Sequence, residues 1–111
     1  MSTLSTHVLD AASGQPAAGV RVAFDRRDGE GWQPLGEEVT DDDGRVRDLA
    51  AGGLGTGVYR LAFATGDYFA ATGQTGFYPE VSVVFEVTDP NRHYHVPLLL
   101  SPYAFSTYRG S

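Results

Sequence analysis

Cysteine is absent from the 111 residues. That removes any disulfide framework and any thiol nucleophile. Positive charge is scarce, with eight basic residues against fourteen acidic ones and a formal net charge of −6 at pH 7. A broad basic surface for nucleic acid is therefore excluded, although a local basic pocket is not. Long apolar runs are missing too. Nowhere do about 18 apolar residues run together, so no membrane span is expected. The opening MSTLSTHVLD has neither the basic n-region nor the apolar h-region of a signal peptide. Also absent are a Gly-x-Ser-x-Gly elbow, a phosphate loop, a dinucleotide fingerprint and any internal repeat. The expectation is a soluble, cytoplasmic chain forming one domain over residues 1–111. That length suits a single core and is short for a buried active-site cavity.

What is present reads as short strands punctuated by turns. Leu4 to Asp10 alternates, with Leu4, Thr6 and Val8 on one face and Ser5, His7 and Leu9 on the other. Val20, Val22 and Phe24 alternate with Arg21, Ala23 and Asp25, and Asp28-Gly29 signals a hairpin into a weaker strand from Trp32 to Val39. Asp41-Asp42-Asp43-Gly44 forms an acidic turn that delivers Arg45 to a short strand, Arg45 to Leu49. A glycine-rich loop over Ala50 to Gly57 precedes a strand from Val58 to Ala64. Thr65 to Gly76 breaks the pattern, and Thr65 or Asp67 is suited to cap one short helix there. Val81 to Thr88 is the clearest strand, and Asp89-Pro90-Asn91 turns the chain into its last run, His93 to Ser111.

That run, HYHVPLLLSPYAFSTYRGS, holds two strand-like segments, His93 to Leu100 and Tyr103 to Tyr108, split by Ser101-Pro102. Tyr94, Val96, Leu98 and Leu100 share an apolar face, and His93 and His95 open the opposite one. Pro97 predicts a bulge or an edge position. Met1 to Thr3 is expected to be flexible. About eight strands with turns every ~8–12 residues and one short helix give an all-β, antiparallel β-sandwich. Such a small sandwich fills its core with side chains, so any sizeable site is a surface groove or lies between subunits.

Polar residues at strand positions are the site candidates: His7, Arg45, His93, His95, Tyr108 and Arg109. Histidine titrates near pH ~6.5 and either shuttles protons or ligates metal. Each histidine taken alone reads more simply as a half-buried donor to a backbone carbonyl. His-x-His plus a distant His is also a three-nitrogen set for zinc, but no spaced acidic partner accompanies either motif. Arg45 reads from spacing alone as a solvated turn residue paired with Asp41 to Asp43. The alternative is a guanidinium fork aimed by the tight turn at a planar, oxygen-rich ligand. Asp41 to Asp43 lack the spaced ligands and closing glutamate of a calcium loop.

The segments LSTHVLDAASGQPAAGV, DDDGR, TGDYF and HYHVPLLLSPYAFSTYRGS resemble the 5-hydroxyisourate hydrolases, the enzymatic members of the transthyretin-like family. The resemblance runs from Leu4 to Ser111, and HYHVPLLLSPY and the final YRGS are its most specific parts. It implies a transthyretin-like β-sandwich of two four-stranded sheets. It implies a homotetramer with active sites at the dimer–dimer interface, in the channel that binds thyroid hormone in the carrier relatives. The implied reaction opens the ring amide of 5-hydroxyisourate in urate degradation, without metal or other cofactor. By the same resemblance His7, Arg45 and His95 are catalytic and Tyr108 contacts substrate; the Ser111 carboxylate is expected, apart from that resemblance, to line the pocket. His93 is left structural. In the carrier branch lysine, glutamate and threonine stand at the positions of His7, Arg45 and His95, and the YRGS ending is missing. Ala104-Phe105 departs from the family's usual glycine and aromatic, which touches hairpin geometry more than chemistry. The alternative function is a small-molecule carrier without catalysis.

Overall fold

The structure is a computed structural model and describes residues 2–50 and 52–111. Alternation of side chains decides the layering. Strand β1 (Thr3–Asp10) buries Leu4, Thr6, Val8 and Asp10 and turns Thr3, Ser5, His7 and Leu9 outward. Strand β8 (His93–Ser101) buries Tyr94, Val96, Leu98 and Leu100. These two strands lie side by side in parallel register, from Thr3↔His93 to Asp10↔Leu100. The remaining pairings are antiparallel. Two-residue strands β2 (Gln15–Pro16) and β5 (Arg45–Val46) flank β1, and β9 (Ala104–Thr107) flanks β8. The path β2-β1-β8-β9 supplies the four strands expected of this sheet, and β5, paired to β1, makes a fifth.

The second sheet runs β4-β3-β6-β7. Its strands are β3 (Arg21–Asp28), β4 (Gly31–Val39), β6 (Gly57–Phe63) and β7 (Val81–Val87). Val22, Phe24, Tyr59, Leu61, Phe63, Val81 and Val87 meet the apolar face of the first sheet to form the core. Leu98 and Leu100 are fully buried in it, so truncating either to alanine should cost about 2–5 kcal/mol. Among the described residues no buried side-chain polar atom lacks a hydrogen-bond partner.

Helix α1 (Thr65–Ala71) is where expected, but neither Thr65 nor Asp67 caps it. Ala64 holds the cap position. The Thr65 hydroxyl instead donates to the Tyr78 carbonyl at 2.7 Å, and Asp67 is exposed near Arg21. Tyr68 reaches from the helix to β1, its hydroxyl 2.8 Å from Asp10 Oδ2. Gln74 and the backbone N–H groups of Ala12 and Ser13 donate to the same carboxylate. Burial pushes the Asp10 pKa up, but these four bonds prevail and hold it below its ordinary value.

Other expectations change. The strand expected over Arg45 to Leu49 keeps its β pairing only at Arg45–Val46. Ser2 is buried and Thr3 is paired with His93, so residues 2 and 3 are not flexible, while Met1 lies outside the described residues. The expected loop over Ala50 to Gly57 contains Ala51, also outside them; Leu54 bridges to Ser2. Pro97 occupies an interior strand rather than an edge, with no register shift against β1. Bonded pairs alternate along an antiparallel ladder. Gly110 N–H donates to the His95 carbonyl at 2.8 Å, so the next bonded pair would be Pro97 with Tyr108. Pro97 has no N–H to give. There β9 ends, and the Thr107 hydroxyl bonds the Pro97 carbonyl at 2.7 Å.

Candidate active site

The outer face of the first sheet collects the polar strand residues. His7 stands directly opposite Arg45 across the β1–β5 pair and beside Pro97 across the β1–β8 pair. One row along, Ser5 stands beside His95, and His95 is bridged in turn to Gly110. Tyr108 falls in the same register row as His7 and Pro97, beyond the end of β9. Arg45 and Tyr108 are then three strand spacings apart, about 14 Å at the backbone.

The acidic turn positions Arg45 and His7 together. Asp41 Oδ1 accepts from the backbone N–H of Asp43 at 2.9 Å and of Arg45 at 3.0 Å. Those bonds, that from Arg45 first, lower the Asp41 pKa. Gly44 adopts φ 74° and packs on the Val8 carbonyl so closely that a Cβ would collide with it. Its own carbonyl accepts from Val8 N–H at 2.7 Å. This contact sews the turn onto β1. The acidic side chains do not hold the Arg45 guanidinium: Asp43 pairs with Arg47 at 3.7 Å, and no ion pair of Arg45 occurs among the described residues. The Asp43 carbonyl lies 2.9 Å from His7 Nε2. A carbonyl only accepts, so Nε2 carries the proton and neutral His7 has its lone pair on Nδ1.

His95 is half-buried. Its Nδ1 lies 2.8 Å from Ser5 Oγ, which leaves Nε2 for other partners. Its ring rests against Gly110. Burial first, then the Arg45 guanidinium and the His93 and His7 rings, push the His95 pKa below the ordinary histidine value. A neutral imidazole at neutral pH follows. A separate cavity of about 150 Å³ is lined by Val83 and Phe85 of β7 together with Tyr94, His95, Val96, Tyr108 and Arg109. The Arg109 guanidinium lies 5.0 Å from the Tyr94 ring centroid. Arg45 lines a second, polar cavity of about 230 Å³ with Ser5, Arg47 and His93.

The fold thus brings His7, Arg45 and His95 onto one face, with Tyr108 at its edge and more than half exposed, at 59%. Ser111 is exposed, and no hydrogen bond or ion pair among the described residues draws it into the group. Among the described residues no cluster of three or more His, Cys, Asp or Glu side chains is placed to hold a metal ion. Two residues were not singled out in the sequence, Ser5 and Gly110. Ser5 shares the outward face of β1 with His7 two residues on, and that spacing was the available signal. No helix among the described residues is long and apolar enough to cross a membrane.

Fold and site define a two-sheet β-sandwich that carries acid–base groups on an open sheet face. The chain belongs to the HIUase/Transthyretin family, whose model matches residues 4–110. It is 54% identical over 115 residues to a 5-hydroxyisourate hydrolase of Caulobacter vibrioides, covering 100% of both chains. With the enzyme of that name from Salmonella typhimurium it shares 46% identity over 109 residues, 97% of this chain and 80% of that one. Among solved structures, 5-hydroxyisourate hydrolase of Klebsiella pneumoniae matches with a TM-score of 0.89 at 40% identity, covering 100% of this chain and 94% of that one. Sea bream transthyretin in complex with thyroxine matches at 0.88 and 32% identity, over 96% and 93%.

Proposed function

We propose that this chain, as one transthyretin-like domain, is a 5-hydroxyisourate hydrolase that needs no metal or other cofactor. The observation that carries the reading is the placement of His7, Arg45 and His95 on one sheet face from three separate strands. A carrier needs no such acid–base set. Opening a ring amide requires an activated water, a stabilised oxyanion and a held substrate. Water attacks the carbonyl carbon, the C–N bond breaks, and the nitrogen leaves with a proton. The product is 2-oxo-4-hydroxy-4-carboxy-5-ureidoimidazoline. His7, with its lone pair on Nδ1, and neutral His95 supply base and acid. Arg45 binds the oxygen-rich ring and offsets the charge that develops on the carbonyl oxygen. Tyr108 orients the substrate, and Ser111 lines the edge of the pocket.

A single sheet face is open to water, whereas the chemistry gains from a closed, drier site. We therefore propose a homotetramer in which this face meets its counterpart across a dimer–dimer interface. Similarity to thyroxine-bound transthyretin keeps a catalytically inert carrier as the second reading. The deciding assay follows freshly made 5-hydroxyisourate by ultraviolet absorbance, with and without protein and chelator. Decay no faster than the uncatalysed rate would leave the carrier. Decay accelerated only without chelator would point to a zinc hydrolase.

A further inference from the structure

A line of hydrogen-bonding side chains runs along the same sheet face, most of it unused by the roles above. Thr3 Oγ1 lies 2.5 Å from His93 Nδ1. Ser5 Oγ lies 2.8 Å from His93 Nε2 and 2.8 Å from His95 Nδ1. The two rings are near parallel at 20°, with centroids 6.5 Å apart. Parallel register sets this up, because Thr3 pairs with His93 and Ser5 with His95.

Counting protons limits what the line can be. A neutral imidazole has one N–H and one lone pair, and a hydroxyl has one hydrogen to give. Ser5 can donate to only one ring, so the other ring must donate to Ser5. Two arrangements satisfy every contact. In the first, His95 Nδ1–H donates to Ser5 and Ser5 donates to His93 Nε2; His95 then presents a lone pair at Nε2. In the second, His93 Nε2–H donates to Ser5 and Ser5 donates to His95 Nδ1; His95 then presents Nε2–H.

We propose that Ser5 and His93 are positioning residues that switch His95 between a base and an acid form through this shared hydrogen-bonded line. The proposal rests on the hydrolase reading above. In the base form His95 Nε2 takes a proton from the attacking water. Its Nδ1 proton passes to Ser5 Oγ while the Ser5 proton passes to His93 Nε2. His93 now holds protons on both nitrogens, with Nδ1–H donating to Thr3 Oγ1, and the positive charge sits there. His95 is neutral with Nε2–H, the form that protonates the nitrogen released as the C–N bond breaks. The reverse shift restores the start, and every proton is accounted for.

Burial disfavours charge on His95. His93 is exposed and His95 half-buried, and burial penalises the charged ring. The charged and titratable groups around His95 are Arg45 on β5, His7 on β1 and His93 on its own strand. Glu86 on β7 and Tyr108 and Arg109 beyond β9 line the cavity with it.

Nitrogen-15 NMR of the imidazole rings in the unliganded wild-type protein tests the coupling. Protonated His93 must donate to Ser5, so His95 should convert to its Nε2–H tautomer in step with the charging of His93. Ser5→Ala should uncouple the two and lower kcat on the order of 10-fold at unchanged KM, less than the ~10²–10⁴-fold lost with an acid–base group itself. His93→Gln should lower kcat likewise and leave the His95 tautomer constant across that pH range. A wild-type His95 tautomer that ignores the His93 titration would overturn the proposal, whatever the variants do. So would coupling that survives in Ser5→Ala. Absence of wild-type turnover would instead strike the hydrolase reading, since the ring spectra are measured without substrate.

Discussion

Gly110→Ala asks whether the last residues of the sequence hold the His95 ring in place. Gly110 is tied to the strand beside that ring by its N–H to the His95 carbonyl at 2.8 Å. A Cβ at 110 would stand 2.5 Å from His95 Cδ2, 3.1 Å from Cγ and 3.2 Å from Cβ. The nearest of these is about 1 Å inside ordinary carbon–carbon contact. The ring does not swing away freely, because Ser5 Oγ holds Nδ1 at 2.8 Å. Either the ring or the 108–111 segment must then move by about 1 Å, and a displacement of that size costs on the order of 10²-fold in rate. That corresponds to about 2.7 kcal/mol of transition-state stabilisation. The assay is initial-rate decay of fresh 5-hydroxyisourate, corrected for spontaneous decay. Circular dichroism and sedimentation should match wild type, because Gly110 lies outside the core. A folded variant within about threefold of the wild-type rate, under about 0.7 kcal/mol, would refute the reasoning.

Other outcomes follow from the same geometry. His7→Asn and His95→Asn should each lose about 10²–10⁴-fold in kcat with the fold intact, since both side chains lie on the outward face; near-normal turnover in both would remove them from the chemistry. The depressed His95 pKa keeps the neutral base present at neutral pH, so the rate should fall only as the pH drops below ~6.5, and a flat profile from about pH 5 to 8 would count against a histidine base. Arg45→Lys keeps the charge but loses the planar fork, so kcat and KM should both worsen; full activity would make Arg45 a point charge. Exhaustive chelation should leave the rate unchanged, and recovery of a lost rate on adding zinc alone would revive the metal reading.

The faces of the strands were legible because alternation reports them directly. Tyr94, Val96, Leu98 and Leu100 are 4%, 7%, 0% and 0% exposed, as a period of two demands. The Asp41–Gly44 turn was legible through its chemistry, an Asx acceptor and a glycine at φ 74°. The neighbour of each strand was not. Period two reports which side of a sheet a residue occupies and is silent on which strand lies alongside, so the parallel β1–β8 pairing had no local signature. Ser5 was missed for that reason, since its meeting with His95 spans 90 positions. The helix cap was misread because Thr65 spends its hydroxyl on Tyr78, a tertiary partner that the local motif does not contain.

Pro97 shows how a local rule can misplace a residue and still mark something real. The rule penalises proline in an interior strand for its missing N–H. Here the missing donor falls on the side facing residues 108 and 109, where the β8–β9 ladder opens before Gly110 closes it again on His95. Tyr108 and Arg109, past the end of β9, line the cavity that His95 shares. A regular ladder would have kept Tyr108 within β9. The proline therefore sets the gap, the glycine ends it, and the residues between gain the freedom to line a pocket.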